Sequence, residues 1–330
     1  MTDKAKLASI GVGWWAGVLA GALETGGEGE IVSCFARTKE SRDAFAEQHN
    51  CRSAGSLEEL LGDPEIEGVV IATSHTSHRA LVEAAAAAGK HIFVEKPLTL
   101  GVEDGVACLE AAAVAGVALQ VGHQRRRSTA NRRIRQMAEA GDLGDLEALE
   151  AHLSIPTAAR IPPEAWRWKA AESPLGSLTS LGVHHLDTMM YLAGPVRSVY
   201  AQARPGRQSE VDEMTVLVLN FQSGALGTLL TSFYTPTLSR LAVFGTQGAA
   251  YSESDGTVLK VQTLGQDAAA EMEVEPNDPL VEQLVEFAQV VRGQANPETD
   301  GAAGLAVVAV LEAAVESSRS GRSVDVPSHP

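Results

Sequence analysis

The chain has 330 residues, enough for two domains with separate cores. Its 45% hydrophobic and 21% charged residues are ordinary for a globular protein, which sets aside disordered and fibrous classes. A formal net charge of -16 argues against a general binder of nucleic acid or anionic membranes, since both need basic surface.

The cysteines are Cys34, Cys51 and Cys108, odd in number and widely spaced. They define neither a disulfide framework nor a zinc pattern, so structural thiols in a reducing, cytoplasmic setting are expected. Lys4 and Lys6 precede an uncharged run, Leu7 to Leu23, that superficially resembles a signal peptide. Gly11, Gly13, Gly17 and Gly21 and the pair Trp14-Trp15 make it read as structure instead.

Leu7 to Val12 is a short apolar strand that runs into Gly11-Val12-Gly13-Trp14-Trp15-Ala16, and a helical stretch from Gly17 to Leu23 follows. Strand, G-x-G-x-x-A and helix in that order form the context of a dinucleotide-binding fingerprint. Gly11 permits the tight turn, and Gly13 lets backbone approach a pyrophosphate at the helix N-terminus. Ala16 sits where helix and strand pack closely. Trp14 and Trp15 are bulky for cofactor neighbours, and Trp14 is read as a wall of the nicotinamide pocket. A second strand, Ile31 to Phe35, ends at Ala36-Arg37-Thr38-Lys39. An NAD-specific fold places an acid there for the ribose 2′-hydroxyl. Here Arg37 suits a 2′-phosphate, so NADP(H) is favoured and NAD(H) is the alternative. The competing reading is a solvated start to the helix Lys39 to His49.

Ser56 to Leu61 reads as a short helix, with Ser56 as N-cap and Glu59 completing a capping box. Gly68 to Thr73 is a buried strand that leads into Ser74-His75-Thr76-Ser77-His78, and Arg79 to Ala88 is an alanine-rich helix. The strand His91 to Val94 then carries Glu95-Lys96-Pro97 to its carboxyl end, where ligands bind in an open α/β sheet. Pro97 fixes the turn that follows, and partial desolvation there lowers an amine's pKa toward useful proton transfer. Val102 to Ala115 is a helix, and Val117 to Val121 is a strand that ends at Gly122-His123-Gln124. Strands alternating with helices at this spacing predict a parallel sheet.

Arg125-Arg126-Arg127, with Arg132, Arg133 and Arg135 behind it, forms a basic patch suited to an anionic group or to a solvated face. From Leu146 the texture changes. Glu147 to Ser154, Val199 to Ala203, Thr215 to Phe221, Ala225 to Phe233 and Leu241 to Phe244 read as strands of an antiparallel sheet. Pro279 to Arg292 and Ala302 to Ser318 are closing helices. Between the first two of those strands lie Trp166-Arg167-Trp168-Lys169 and Ser180-Leu181-Gly182-Val183-His184-His185-Leu186-Asp187. His184 and Asp187 share a helix face at i, i+3 and can contact one ligand. His184 and His185 point apart on a helix, so no metal is assigned.

In this order the motifs resemble the Gfo/Idh/MocA oxidoreductases over nearly the full length. The resemblance rests on Gly11-x-Gly13-x-x-Ala16, Thr73 to His78, Glu95-Lys96-Pro97, Gly182-x-His184-x-x-Asp187 and Asp300-Gly301. It implies an α/β fold with an N-terminal Rossmann domain, 1–122, and a C-terminal α/β domain, 123–330, built on a large open, mostly antiparallel sheet. The closing helices are free to pack back on the first domain. It further implies homodimers or homotetramers formed through that sheet, and an active site between the domains.

Motifs and resemblance together put Gly11, Gly13, Trp14, Trp15, Ala16, Arg37 and Thr38 on the cofactor, joined by Thr73, Ser74, His75, His78, Glu95, Lys96 and Gln124. Lys96, Arg126, Trp166, Arg167, Ser180, His184 and Asp187 are assigned to the substrate. Ser180 stands where the inositol dehydrogenase branch has an acid, which leaves Asp187 or His185 to orient His184. Ser74-His75 replaces the usual Pro-Asn.

The activity this implies is hydride transfer between nicotinamide C4 and a carbinol or carbonyl carbon of a sugar, cyclitol or related polyol-like molecule. His184 serves as the proton-transfer group, because imidazoles titrate near neutrality, and Lys96 holds the reacting oxygen. The alternatives on the same fold are a non-catalytic NADP(H) sensor and a glycosidase that uses tightly held NAD.

Overall fold

The structure, a computed structural model, describes residues 4–327 apart from position 208. The chain divides into two compact units, residues 1–123 with 278–305 and residues 124–277 with 306–330.

The first unit contains β1 (Ala5–Ile10), β2 (Gly29–Phe35), β3 (Arg52–Ser53), β4 (Gly68–Ile71), β5 (His91–Val94) and β6 (Leu119–Val121). Between them run α1 (Trp14–Gly26), α2 (Lys39–Gln48), α3 (Leu57–Gly62), α4 (His78–Ala87) and α5 (Val102–Ala115). The strands pair in the order β3-β2-β1-β4-β5-β6, all parallel. The order reverses between β1 and β4, the switch point outside which an open α/β sheet binds its ligands. Val69, Ile71, Ile92, Phe93 and Val94 have no exposed surface, as strands covered on both faces require. β3, too short to leave a periodic signal, is absent from the sequence reading.

Leu7, Leu19 and Leu23, from the run that mimics a signal peptide, are core residues of this unit. Ser56 caps α3 by accepting from the Glu59 N–H at 3.1 Å. The Glu59 carboxylate reaches back to the Gly55 N–H at 2.7 Å rather than to Ser56, so the capping box is displaced by one residue.

The second unit is a nine-stranded sheet with helices on one face. Its strands are β7 (Leu146–Ser154), β8 (Val196–Arg204), β9 (Met214–Phe221), β10 (Leu226–Ser232), β11 (Leu238–Gly245), β12 (Gly248–Glu253), β13 (Val258–Thr263), β14 (Ala270–Met272) and β15 (Val324–Asp325). They order as β14-β13-β12-β11-β7-β10-β9-β8-β15. All pairs are antiparallel except β7 with β10, whose chain returns beside β7 after a crossover. α6 (Thr129–Ala140) and α7 (Val183–Ala193) pack Ile134, Met137, Leu186 and Met189 onto Leu149, Leu217, Leu229 and Val243. The opposite face exposes Val218, Leu226 and Leu238 at 42%, 55% and 43%. This sheet is the large, mostly antiparallel one that the sequence predicts.

Two helices close the chain. α8 (Pro279–Val291) belongs to the first unit and sets Leu284, Phe287 and Ala288 against Leu19, Leu23 and Phe93. The Phe93 and Phe287 rings lie 5.7 Å apart, and burying each such ring is worth about 2–3 kcal/mol. Asp278 caps this helix from the N–H groups of Leu280 and Val281. α9 (Gly301–Ser320) contributes Val307, Val310 and Leu311 to the second unit's core. By length and composition α9 could cross a membrane, yet 61% of that apolar window is buried within the protein.

Candidate active site

In the first unit, the turn after β1 is shaped by Gly11. Its φ is +99°, and a Cβ there would lie 2.3 Å from the Ala72 carbonyl oxygen, so no other residue fits. Gly13 precedes α1 in extended conformation, and nothing lies within 4 Å of where its Cβ would be. α1 has no side-chain cap and no acid in its first turn, so its leading N–H groups face an open approach. That combination suits a pyrophosphate. Ala16 packs against Cys34, Phe45 and Ala46. Trp15 lies partly buried against the core, whereas Trp14 projects from the first turn at 80% exposure, the two rings 5.5 Å apart.

At the end of β2, Arg37 and Thr38 are exposed, and Thr38 precedes α2 without a side-chain cap bond. Lys39 is committed to Asp43 one turn on. Arg37 has no carboxylate within ion-pair distance among the described residues. Arg42 is a cation the sequence reading overlooks. It donates to the Ala36 carbonyl at 3.2 Å and lies 6.0 Å from the centre of the Phe35 ring, so it braces the loop that carries Arg37.

Beyond β4, Thr73 and Ser74 are tied by Ser77, whose hydroxyl donates within 2.8 Å of Thr73 Oγ1 and 2.6 Å of the Ser74 carbonyl. His75 is buried, and its ring meets that of His78 edge-on at 5.8 Å. His78 does not face a ligand surface. It is fully buried, and its Nδ1 lies 3.0 Å from the Pro97 carbonyl and 3.2 Å from that of Leu98.

β5 ends where the sequence places it. The Glu95 N–H closes the ladder on the Ile71 carbonyl at 3.0 Å, and Lys96, half-buried, is the next residue out. The Glu95 carboxylate lies against Gly122, where a Cβ would come within 2.8 Å of Oε1, and accepts from the Lys96 N–H at 3.2 Å. The Lys96–Pro97 peptide is cis.

In the second unit, Gln124 opens a short 3-10 turn, half-buried. The arginines that follow do not form a free basic patch. Arg126 makes a two-pronged ion pair with Asp187, with Nε 2.8 Å from Oδ2 and Nη2 on Oδ1, and both residues are buried. Arg125 pairs with Asp255, and Arg135 with Glu139. The guanidinium groups of Arg126 and Arg135 lie 5.2 and 5.3 Å from the Tyr191 ring centre. Tyr191 was missed, although its i, i+4 spacing from Asp187 puts both on one face of α7. The Asp187 carboxylate, with no exposed surface, therefore organises Arg126 rather than meeting a ligand.

Trp166 and Arg167 stack, with the guanidinium 4.3 Å from the ring centre, and both stay half-buried. Trp168 is core, edge-on to Phe233 at 5.4 Å. Ser180 lies in a turn of π-helix, Leu178–Gly182, that feeds directly into α7. Such a wide turn rotates the residues that follow it, and periodicity alone does not reveal one. Gly182 lets it approach β10, because a Cβ would meet Leu178 at 2.6 Å and Thr231 at 2.8 Å. His184, 7% exposed, starts the helix, and its carbonyl accepts from Thr188 Oγ1 at 3.0 Å.

His185 faces the interior, and burial, reinforced by the Arg125 charge, pulls its imidazole down to about 3. It is neutral at neutral pH and unsuited to proton exchange there. The unfolded chain takes up this proton near pH 6.5, and the folded one only near pH 3. This contribution to stability is present above pH 6.5 and is lost as pH falls through that window. In His185→Gln, the drop in urea midpoint from pH 7 to pH 4 should be smaller than in wild type. An equal drop would show that His185 does not titrate this way.

An open α/β sheet with a glycine turn at its switch point and an uncapped helix start defines a dinucleotide-binding protein. A model described as an oxidoreductase family with an NAD-binding Rossmann fold matches residues 5–123, and the GFO/IDH/MocA C-terminal domain matches residues 131–251. The chain belongs to the Gfo/Idh/MocA oxidoreductase family, and it is an NAD(P)-dependent enzyme. It is 28% identical to 1,5-anhydro-D-fructose reductase of Ensifer adhaerens, over 93% of each chain. To D-xylose 1-dehydrogenase (NADP(+)) 2 of Haloferax volcanii it is 26% identical, over 91% of this chain and 93% of that one. A solved protein of Desulfitobacterium hafniense, provisionally named an NADPH-dependent oxidoreductase, superposes with a TM-score of 0.92 at 28% identity over 99% of both chains.

Proposed function

We propose that the enzyme is an NADP(H)-dependent dehydrogenase or reductase of a secondary carbinol in a sugar, cyclitol or related polyol. The observation that carries this reading is Lys96, a half-buried ammonium at the carboxyl end of β5, one strand from the switch point. Gly11, Gly13 and the open start of α1 would hold the pyrophosphate, with Trp14 and the Thr73–Ser74 turn beside the ring. When bound, the nicotinamide supplies the hydride chemistry. Lys96 donates a charge-assisted hydrogen bond to the substrate oxygen and steadies the charge that develops on it. His184 accepts the hydroxyl proton in oxidation and returns it in reduction. Trp166 and Arg167 shape the sugar-facing surface. The relatives' names, a reductase of an anhydro sugar and a dehydrogenase of an aldose, support that substrate class.

Preference for NADP(H) is supported by the end of β2, where Arg37 is exposed, Arg42 braces its loop and the sequence has Ala36 in place of the acid expected of an NAD-specific fold. The assay is absorbance at 340 nm with NADPH or NADP+ and with NADH or NAD+, over 1,5-anhydro-D-fructose, D-xylose, myo-inositol and a trans-dihydrodiol. Turnover is expected with the phosphorylated cofactor, and Arg37→Ala should weaken NADPH about tenfold or more while leaving NADH nearly unchanged. Turnover with NAD(H) alone would keep the enzyme and remove the role of Arg37. Silence across the panel would contradict the substrate class.

The exposed apolar residues Val218, Leu226 and Leu238 also support pairing of subunits through the open sheet face. Sedimentation at micromolar concentration should give a dimer or tetramer, and a monomer would remove this pairing.

A further inference from the structure

Lys96 sits between two anchors. On its N-terminal side the backbone is fixed by the sheet, through the Glu95 N–H on the Ile71 carbonyl at 3.0 Å. On its C-terminal side the chain leaves the sheet, and Pro97 has no N–H with which to rejoin it. There His78, the first residue of α4, takes over. Its Nδ1 lies 3.0 Å from the Pro97 carbonyl and 3.2 Å from that of Leu98. Both partners are acceptors, so Nδ1 carries the proton and the tautomer is fixed. His78 and Leu98 have no exposed surface and Pro97 is buried, so those carbonyls lie away from bulk solvent.

We infer that His78 is a positioning residue for Lys96, with its Nδ1–H clamping the carbonyls of residues 97 and 98 so that the ammonium is held in one place. This rests on the proposed role of Lys96 and replaces a direct contact between His78 and the cofactor. It also ties together two adjoining ligand-facing segments, since the residue that ends the Thr73–Ser77 turn holds the segment that presents the lysine. Misplacing a reacting group by about 1 Å costs on the order of 10²-fold in rate, so a clamp of this kind is worth more to turnover than to folding.

Three substitutions separate the possibilities. Asn carries an amide N–H close to where Nδ1 stands, Gln places its amide nearer the Nε2 position, and Phe keeps the ring volume without a donor. With the panel substrate that wild type turns over fastest, His78→Phe and His78→Gln should lower kcat about 10- to 100-fold. The Kd for NADPH should stay within about threefold. His78→Asn should restore most of the loss. Hydrogen exchange in the segment 93–101, which needs no substrate, should quicken in Phe and Gln and stay slow in Asn.

Should the Phe variant fail to fold, the comparison of Asn with Gln still decides the matter. Equal kcat for Asn and Gln, or a folded Phe variant with wild-type kcat, overturns the clamp. Lys96→Met is measured alone and combined with His78→Phe. If Lys96→Met alone leaves kcat unchanged, it is the role of the lysine that fails. If it lowers kcat by about 10²–10³-fold to a rate still measurable and the double variant is no slower, His78 acts through Lys96. Fully additive losses would mean that it does not.

Discussion

Lys96→Ala should lower kcat by about 10²–10³-fold, the usual loss when one preorganised donor to a developing oxyanion is removed. The Kd for NADPH, read by fluorescence titration, should change little, because the pyrophosphate is assigned to the β1–α1 turn rather than to the lysine. The asymmetry follows from the backbone. Glu95 ends the β5 ladder with a buried carboxylate against Gly122, and Lys96 is the first residue beyond it with exposed surface. A variant that keeps near-wild-type turnover would take the lysine out of the mechanism. One that loses NADPH binding in parallel would move it to the cofactor.

The largest effect on stability is expected at Asp187. Asp187→Ala leaves the Arg126 guanidinium buried without its two-pronged partner, which should cost about 3–5 kcal/mol, read as a fall in the urea midpoint. The double variant Arg126→Met with Asp187→Leu should recover much of that loss, since an apolar pair of similar volume carries no desolvation penalty. Because Asp187 lies one turn beyond His184 on α7, the single variant should also lower turnover. An unchanged midpoint in Asp187→Ala would show that Asp187 is not what balances the arginine.

The parallel sheet was legible because strands buried on both faces read as unbroken apolar runs: His91–Val94 falls where it was expected, and the helix Val102–Ala115 matches to the residue. The glycine turn was legible because its spacing follows from backbone geometry that only glycine allows. The strands β12 to β15 were not: β14 and β15, the two edges of the second sheet, have three and two residues, too few to show a two-residue alternation. The parallel pairing of β7 with β10 was also hidden, since it depends on where a crossover lands rather than on the composition of either strand. Around the candidate site, the strand ends and helices that carry its residues were readable, and the partners of those side chains were not. Nothing in the spacing of His78 and Pro97, or of Arg126 and Asp187, tells which side chain closes on which group 19 or 61 positions away. The run of arginines misleads for the same reason, because the acids that neutralise Arg125 and Arg126 come from distant segments.

Isotope transfer tests the central claim most directly. The enzyme is given NADPH deuterated at nicotinamide C4, each face in turn, with 1,5-anhydro-D-fructose or the panel substrate it reduces fastest, and the product is weighed. The account predicts one deuterium on the new carbinol carbon from one face only, with none lost to water. Product that forms without deuterium from either face would contradict direct hydride transfer.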